Sequence, residues 1–221
     1  MNYGADTGGN VTEFIAIGNA HDNELLFPGS FNRFLLRMYP GPGANVVIAQ
    51  NDDLIVYCGS GGTIIQPGNA RTLVYGGSGN DRIHTGNGRS WINGGVGPAE
   101  IFAGGGDIEV VSGAARNQIN AGTGHATISL NGGINDVRLK RDTTLLVVKR
   151  TGLPQNITGF CGGVVDLSDW AAMGPVLLMQ EHKDAVLHSA TERVVFKNTR
   201  VETLQNCVTG AETLLRQRPL I

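Results

Sequence analysis

The sequence has few cysteines, and they lie far apart. Cys58, Cys161 and Cys207 form no CxxC pair and no Cys/His cluster. An odd number of isolated cysteines encodes neither a disulfide framework nor a zinc site. We therefore interpret them as three unrelated thiols.

Long apolar runs are also missing. No run approaches the length of about 18 residues that a transmembrane helix needs, so we expect no transmembrane segment. The N-terminal stretch MNYGADTGGNVTEF has neither a basic n-region nor an apolar h-region. A cleavable signal peptide is therefore not predicted.

An excess of charge of one sign is lacking as well. Charged residues make up 16% of the chain and the net charge is −2, so no overall field favours nucleic acid or an anionic membrane. The sequence also contains no HExxH, GxSxG, Walker or CxxC motif. We therefore expect a protein that is not an enzyme and does not bind nucleic acid.

Glycine is what the sequence has in excess, with 33 of 221 residues against only eight prolines. Such an excess is often periodic. The stretch GGSGNDRIH, from Gly76 to His84, fits the nine-residue pattern G-G-x-G-x-D-x-U-x. In that frame the eighth residue of twelve successive nonapeptides, from Val47 to Leu146, is always aliphatic, and eleven of the twelve are β-branched. The repeat block therefore covers residues 40–147.

This period predicts an all-β fold, a parallel β-roll (a β-solenoid) in which two nonapeptides, about 18 residues, make one coil. Each nonapeptide supplies a glycine-rich turn and a short strand, whose eighth residue points inward while the seventh and ninth point outward. A disordered glycine-rich linker would not keep this aliphatic phase. We expect an N-terminal cap segment over residues 1–39, the roll over 40–147, and a C-terminal β cap over 148–221 that continues the roll.

The repeats resemble the RTX (hemolysin-type calcium-binding) family, which forms the β-roll of type I secreted proteins, and the R modules of alginate epimerases. After the repeats, ITGFCGGVVDLSDW (Ile157 to Trp170) resembles the element that follows them in those proteins. The resemblance covers residues 40–205. It implies a noncatalytic, secreted or cell-surface module, exported by a non-classical, type I-like route, with calcium as its cofactor.

The resemblance places the calcium-binding carboxylate at the sixth position of each repeat, where only Asp81 matches. Its implied site, one of at most two weak calcium sites, lies between two turns one coil apart, with these residues: Asp81, Gly77, Gly79, Gly95 and Gly97. Calcium usually takes six to eight oxygens and more than one carboxylate. We therefore expect calcium binding to be largely vestigial. If any edge retains ion or water binding, it is the one that carries these residues: Asn45, Asp81, Asn117 and Asn135.

The outward positions of the first and last repeats are apolar, which predicts that other segments cover them. They include Ile55, Tyr57, Leu73, Tyr75 and Leu145. The stretch from Phe31 to Tyr39 is the candidate cover for the first coils.

A candidate ligand-binding surface combines basic and aromatic outward residues: Arg82, His84, Arg89 and Trp91, with Glu100 and Phe102 beside them.

An alternative function is an accessory module that binds an anionic polysaccharide through four arginines: Arg82, Arg89, Arg116 and Arg138. A cell-surface partner is the other expectation. A third hypothesis is an enzyme with a site around His84 and His125, although no motif supports it. Ice binding would require a regular threonine ladder, which the seventh and ninth positions do not supply.

Overall fold

The computed structural model describes residues 2–4, 13–27, 35–140 and 144–216. These residues form a parallel β-solenoid of two sheets with 18 residues per coil and almost no helix, which confirms the predicted fold class. Sheet A has eleven strands, in this order: β1 Asn2–Gly4, β2 Glu13–Ile17, β4 Leu35–Tyr39, β6 Asp53–Tyr57, β8 Thr72–Tyr75, β10 Ser90–Asn93, β12 Ile108–Val111, β14 Ala126–Leu130, β16 Thr144–Val148, β18 Val164–Asp166 and β22 Val208–Thr209. Sheet B has twelve, in this order: β23 Thr213–Arg216, β19 Val176–Glu181, β20 Asp184–His188, β21 Arg193–Lys197, β17 Gln155–Thr158, β15 Asn135–Arg138, β13 Asn117–Asn120, β11 Ala99–Phe102, β9 Asp81–His84, β7 Thr63–Gln66, β5 Asn45–Ala49 and β3 Asn23–Phe27.

The nonapeptide frame sets the register of both sheets. Ile83, for example, lies beside Ile65 of the preceding coil on one side and Ile101 of the following coil on the other. All twelve residues at the eighth position are at most 1% exposed, as the aliphatic phase predicted. β-Branched side chains suit such short pleated strands, and the two aliphatic ladders form the core between the sheets.

The parallel ladder begins upstream of the nonapeptides. β2 pairs in parallel with β4, β4 with β6, and β3 with β5. Residues 35–39 of the predicted cover are therefore a strand of sheet A, with Leu36 and Met38 buried in the core; residues 31–34 lie outside the described residues. The nonapeptide frame missed this coil because its paired residues, such as Glu13 and Leu35, are farther apart in the chain than two nonapeptides.

The C-terminal region continues both sheets and then closes the end of the core. β17 and β18 extend the two parallel ladders, and β21 lies parallel to β17. β19, β20 and β21 then pair antiparallel. A 3-10 helix, Ser168–Met173, buries Trp170 completely, and a short helix, α1, spans Val201–Gln205. Within the described residues, no helix is long and apolar enough to cross a membrane.

The prediction that other segments cover the apolar outward residues is wrong at Tyr75 and Leu145, which are exposed, whereas Ile55, Tyr57 and Leu73 are half-buried. Tyr75 is 36% exposed and Leu145 is 37% exposed. Ile17 lies in the same row as Tyr75 and is 52% exposed. Sheet A therefore presents an apolar face to solvent, whereas the central outward positions of sheet B are mostly polar.

Candidate functional site

A ladder of polar side chains runs inside the solenoid at the sixth position of the sheet B repeats. Side chains alternate across a strand, so the sixth residue points inward together with the eighth. All members of this internal ladder except Asn23 are buried. Its members are Asn23, Asn45, Thr63, Asp81, Ala99, Asn117, Asn135 and Gln155.

Side-chain amides of this internal ladder bind the turn carbonyls beside them. The Nδ2 of Asn117 donates to the carbonyls of Gly113 at 3.1 Å and Ala115 at 2.9 Å, and to Oδ1 of Asn135 at 3.0 Å. The Nδ2 of Asn135 donates in turn to Oε1 of Gln155 at 2.6 Å. These bonds satisfy buried backbone oxygens that would otherwise need water or an ion.

Asp81 is a fully buried member of this internal ladder. Its Oδ1 accepts the backbone N–H of Thr63 at 3.0 Å, and its Oδ2 accepts the backbone N–H of Gly77 at 2.9 Å. Burial raises the pKa of this carboxyl, although the two backbone hydrogen bonds oppose the shift. Burial and then the charge of Asp81 raise the pKa of the nearby Cys58 thiol. The carboxylate thus holds two backbone groups in adjoining coils.

The glycines of the implied calcium site are engaged in the same backbone network. The carbonyl of Gly77 accepts the N–H of Gly97 at 3.0 Å, and the carbonyl of Gly95 accepts that of Ala114 at 2.9 Å. Gly95 has a φ of 74°, and a Cβ on Gly97 would collide with the carbonyl oxygen of Gly79. A single carboxylate with both oxygens occupied is a poor donor set for calcium. No cluster of three or more His, Cys, Asp or Glu side chains suited to a metal occurs in the described residues.

The internal ladder has a gap at Ala99, which lies between Asp81 and Asn117. Each neighbouring amide oxygen accepts a bond from the coil before it, as Oδ1 of Asn135 does from Asn117. The Oδ1 of Asn117 is buried without a hydrogen-bond partner in the described part of the chain. The preceding coil offers only a methyl group at that position, and this explains the unsatisfied oxygen.

Replacing Ala99 with asparagine is expected to stabilise the protein by about 1 kcal/mol, the usual net value of a buried hydrogen bond. The new Nδ2 would donate to Oδ1 of Asn117, as the amide of Asn117 does to Asn135. Chemical denaturation measures the change, and Ala99→Leu is the matched control because it adds similar volume without a donor. Equal or lower stability of the asparagine variant relative to wild type would contradict this account.

The structure divides the predicted ligand-binding surface between two faces. Arg82 and His84 point outward from sheet B, where Arg82 makes a 2.7 Å salt bridge with Glu100 and His84 stacks on Phe102 with 4.7 Å between ring centroids. Trp91 points outward from sheet A and packs at 5.2 Å from the ring of Tyr75. These side chains therefore do not line one groove.

Two other predicted residues lie in turns. Arg89 precedes β10, and its backbone carbonyl accepts the N–H of Thr72 at 3.0 Å. His125 precedes β14, with Nδ1 at 3.1 Å from Oδ1 of Asp107, and it does not share the sheet face that carries His84. The arrangement brings no catalytic pair together from these two histidines.

An open groove of about 320 Å³ lies on the outer face of sheet B. It is lined by one aromatic residue and mainly polar side chains from four successive coils: Phe102, Gln118, Asn120, Asp136, Val137, Arg138, Asn156 and Thr158. Asp136 is held by Arg116 at 2.8 Å and by Nδ2 of Asn156 at 3.1 Å. Arg138 is exposed and has no salt-bridge partner in the described ranges.

Arg138 and Phe102 are among the predicted binding residues, whereas the amides around them are not. Phe102, Asn120 and Arg138 occupy the same position in three successive coils and form one row of the groove. Comparing the outward residues of successive coils would have placed these three side by side.

Comparison with protein-family models, curated protein sequences and solved structures gives no match to this chain.

Proposed function

We propose that this chain is a noncatalytic β-roll module of the RTX-like kind, secreted or displayed at a cell surface, that binds a polysaccharide without needing calcium to fold. The groove on sheet B is the observation that carries the binding proposal. The internal ladder supports independence from calcium, because its amides and Asp81 already bind the turn carbonyls and N–H groups.

Removal of calcium is expected to leave the fold intact. Far-UV circular dichroism should be the same in EDTA and in excess calcium, and the melting temperature should differ by less than about 2 °C, because a largely vestigial site contributes little binding energy. Magnesium at the same concentration serves as the control for ionic strength. Unfolding in EDTA that calcium reverses and magnesium does not would contradict this part of the proposal.

The chemistry of the groove favours a carbohydrate ligand that carries carboxylates. Amides and hydroxyls supply paired donors and acceptors for sugar hydroxyls, and a guanidinium binds a carboxylate with a fork of two N–H groups. Arg82 and Arg116 are engaged by Glu100 and Asp136, respectively. Arg138 is therefore the groove arginine that we expect to contact the anionic group.

Alginate or pectin is expected to bind in the presence of a chelator, and more weakly at high salt because added ions screen the charge. Arg138→Ala should weaken binding about tenfold, the value of one charge-assisted contact. Arg82→Ala is the matched control on the same sheet, because that guanidinium is already paired with Glu100. Binding curves by isothermal titration measure both. An equal loss in both variants, or no binding by the wild type, would contradict the proposed site.

A further inference from the structure

The outer face of sheet A carries a cluster of apolar side chains on the side of the solenoid away from the groove. Its rings form a continuous stack: Tyr39 on Tyr57 with centroids 4.9 Å apart, Tyr57 on Tyr75 at 4.7 Å, and Trp91 against Tyr75 at 5.2 Å. The adjacent row is mixed: Ile55 and Leu73 are half-buried aliphatic residues, and Arg37, Trp91 and Glu109 lie in the same row. Large exposed apolar faces of this kind mark interaction sites.

Opposite charges lie at equal distances on either side of β8 on this face, with Arg37 two strands before Leu73 and Glu109 two strands after it. We propose that a second copy of this chain packs on the outer face of sheet A, with the two-fold axis along β8. Each coil contributes one strand to sheet A. This axis therefore places Leu73 opposite its own copy and Ile55 opposite Trp91 of the other chain. It also places Arg37 opposite Glu109 of the other chain, because Arg37 lies two strands before Leu73 in sheet A and Glu109 lies two strands after Leu73.

Glu109 is suited to this contact. It is exposed and has no salt-bridge partner in the part of the chain that the structure describes. Arg37 is half-buried; its Nε donates to Glu13 at 2.7 Å and its Nη1 to the hydroxyl of Tyr57 at 3.4 Å, so the N–H groups of Nη2 are the donors left for Glu109. The Arg37–Glu109 contact occurs twice in the dimer, because a two-fold interface is self-complementary.

The size of the face is sufficient for a specific dimer of moderate affinity. Seven strands of sheet A overlap in this arrangement, from β2, which carries Ile15, to β14, which carries Thr127, and each strand presents two outward residues. With about 4.8 Å between strands and about 6.8 Å between alternate residues, they cover roughly 460 Å² in projection on each copy. Side-chain relief adds to this area, so the pair buries about 1,000 Å² or more, the lower limit of specific interfaces. Both sheet B grooves remain on the outside of the dimer.

Light scattering after size exclusion tests the proposal between about 1 and 100 μM chain, where an interface of this size should dissociate. The expected mass rises from 23.3 kDa toward twice that value. Leu73→Asp should raise the dissociation constant at least about 30-fold, because the charge lies at the centre of the interface. Glu109→Lys should raise it about tenfold by facing Arg37 with a like charge.

The matched control for Leu73→Asp is a residue on the opposite sheet. Ile64 on sheet B occupies the same repeat position as Leu73 and is 38% exposed, so Ile64→Asp should leave the dimer intact. Circular dichroism confirms that each variant folds. A wild-type chain that is monomeric throughout the range overturns the proposal. So does a dimer that both Leu73→Asp and Glu109→Lys leave intact, whatever the effect of Ile64→Asp.

Discussion

Replacing Trp170 with alanine is expected to lower the free energy of unfolding by about 3–5 kcal/mol, the usual cost of removing a large buried aromatic side chain. Trp170 is 0% exposed and belongs to the hydrophobic core at the end where β22 contributes only two residues to sheet A. Its removal would leave a cavity where the core is closed by the 3-10 helix. The melting temperature should fall by roughly 10 °C or more for a chain of this size.

The second tryptophan of the chain supplies the control for this prediction. Trp91 is only half-buried on the outer face of sheet A, so Trp91→Ala should change the stability of the folded chain much less. Urea denaturation at a concentration where the chain is monomeric compares the two variants without any contribution from association. Similar losses in both variants would show that Trp170 does not close the core.

Replacing Asp81 with alanine is expected to destabilise the protein by about 3 kcal/mol, because two buried N–H groups then lose their acceptor. These groups are the backbone N–H of Thr63 and that of Gly77, in adjoining coils. The matched control is Asp107→Ala, in a solvent-exposed turn, for which the expected change is within about 0.5 kcal/mol. The same loss in both variants would contradict the structural role assigned to Asp81.

The stability should also depend on pH through Asp81. Burial raises its pKa in the folded chain above the ordinary value of 3.8, so the folded state binds this proton more tightly than the unfolded chain does. Stability from this group is present at low pH and is lost as the pH rises through the folded pKa. Relative to Asp81→Asn, the wild type should therefore gain stability as the pH of the denaturation series is lowered from neutral toward the ordinary carboxyl pKa of 3.8. A gain in the opposite direction would contradict the shift.

Aliphatic periodicity predicted the central fold well because every coil repeats the same local requirement. An inward β-branched residue every nine positions needs only strand alternation and a tight turn, both of which are local properties. The upstream coil of β2 to β4 does not follow the nonapeptide period because its paired residues are more than 18 positions apart. Strand alternation also places the sixth position inward, and this is enough to predict the internal ladder of polar side chains. The resemblance to calcium-binding repeats favoured an ion site at these positions instead.

The sequence by itself determined the solenoid, its coil of two nonapeptides and twelve of its core residues, since these depend on a pattern that is present in each repeat separately. Only the tertiary structure decided what the polar residues contact. Whether Asp81 accepts two N–H bonds, whether Arg82 is paired and Arg138 exposed, and which outward rows remain uncovered all depend on neighbours one coil away. Those neighbours are distant in the chain, so folding has to bring them together before their chemistry is defined.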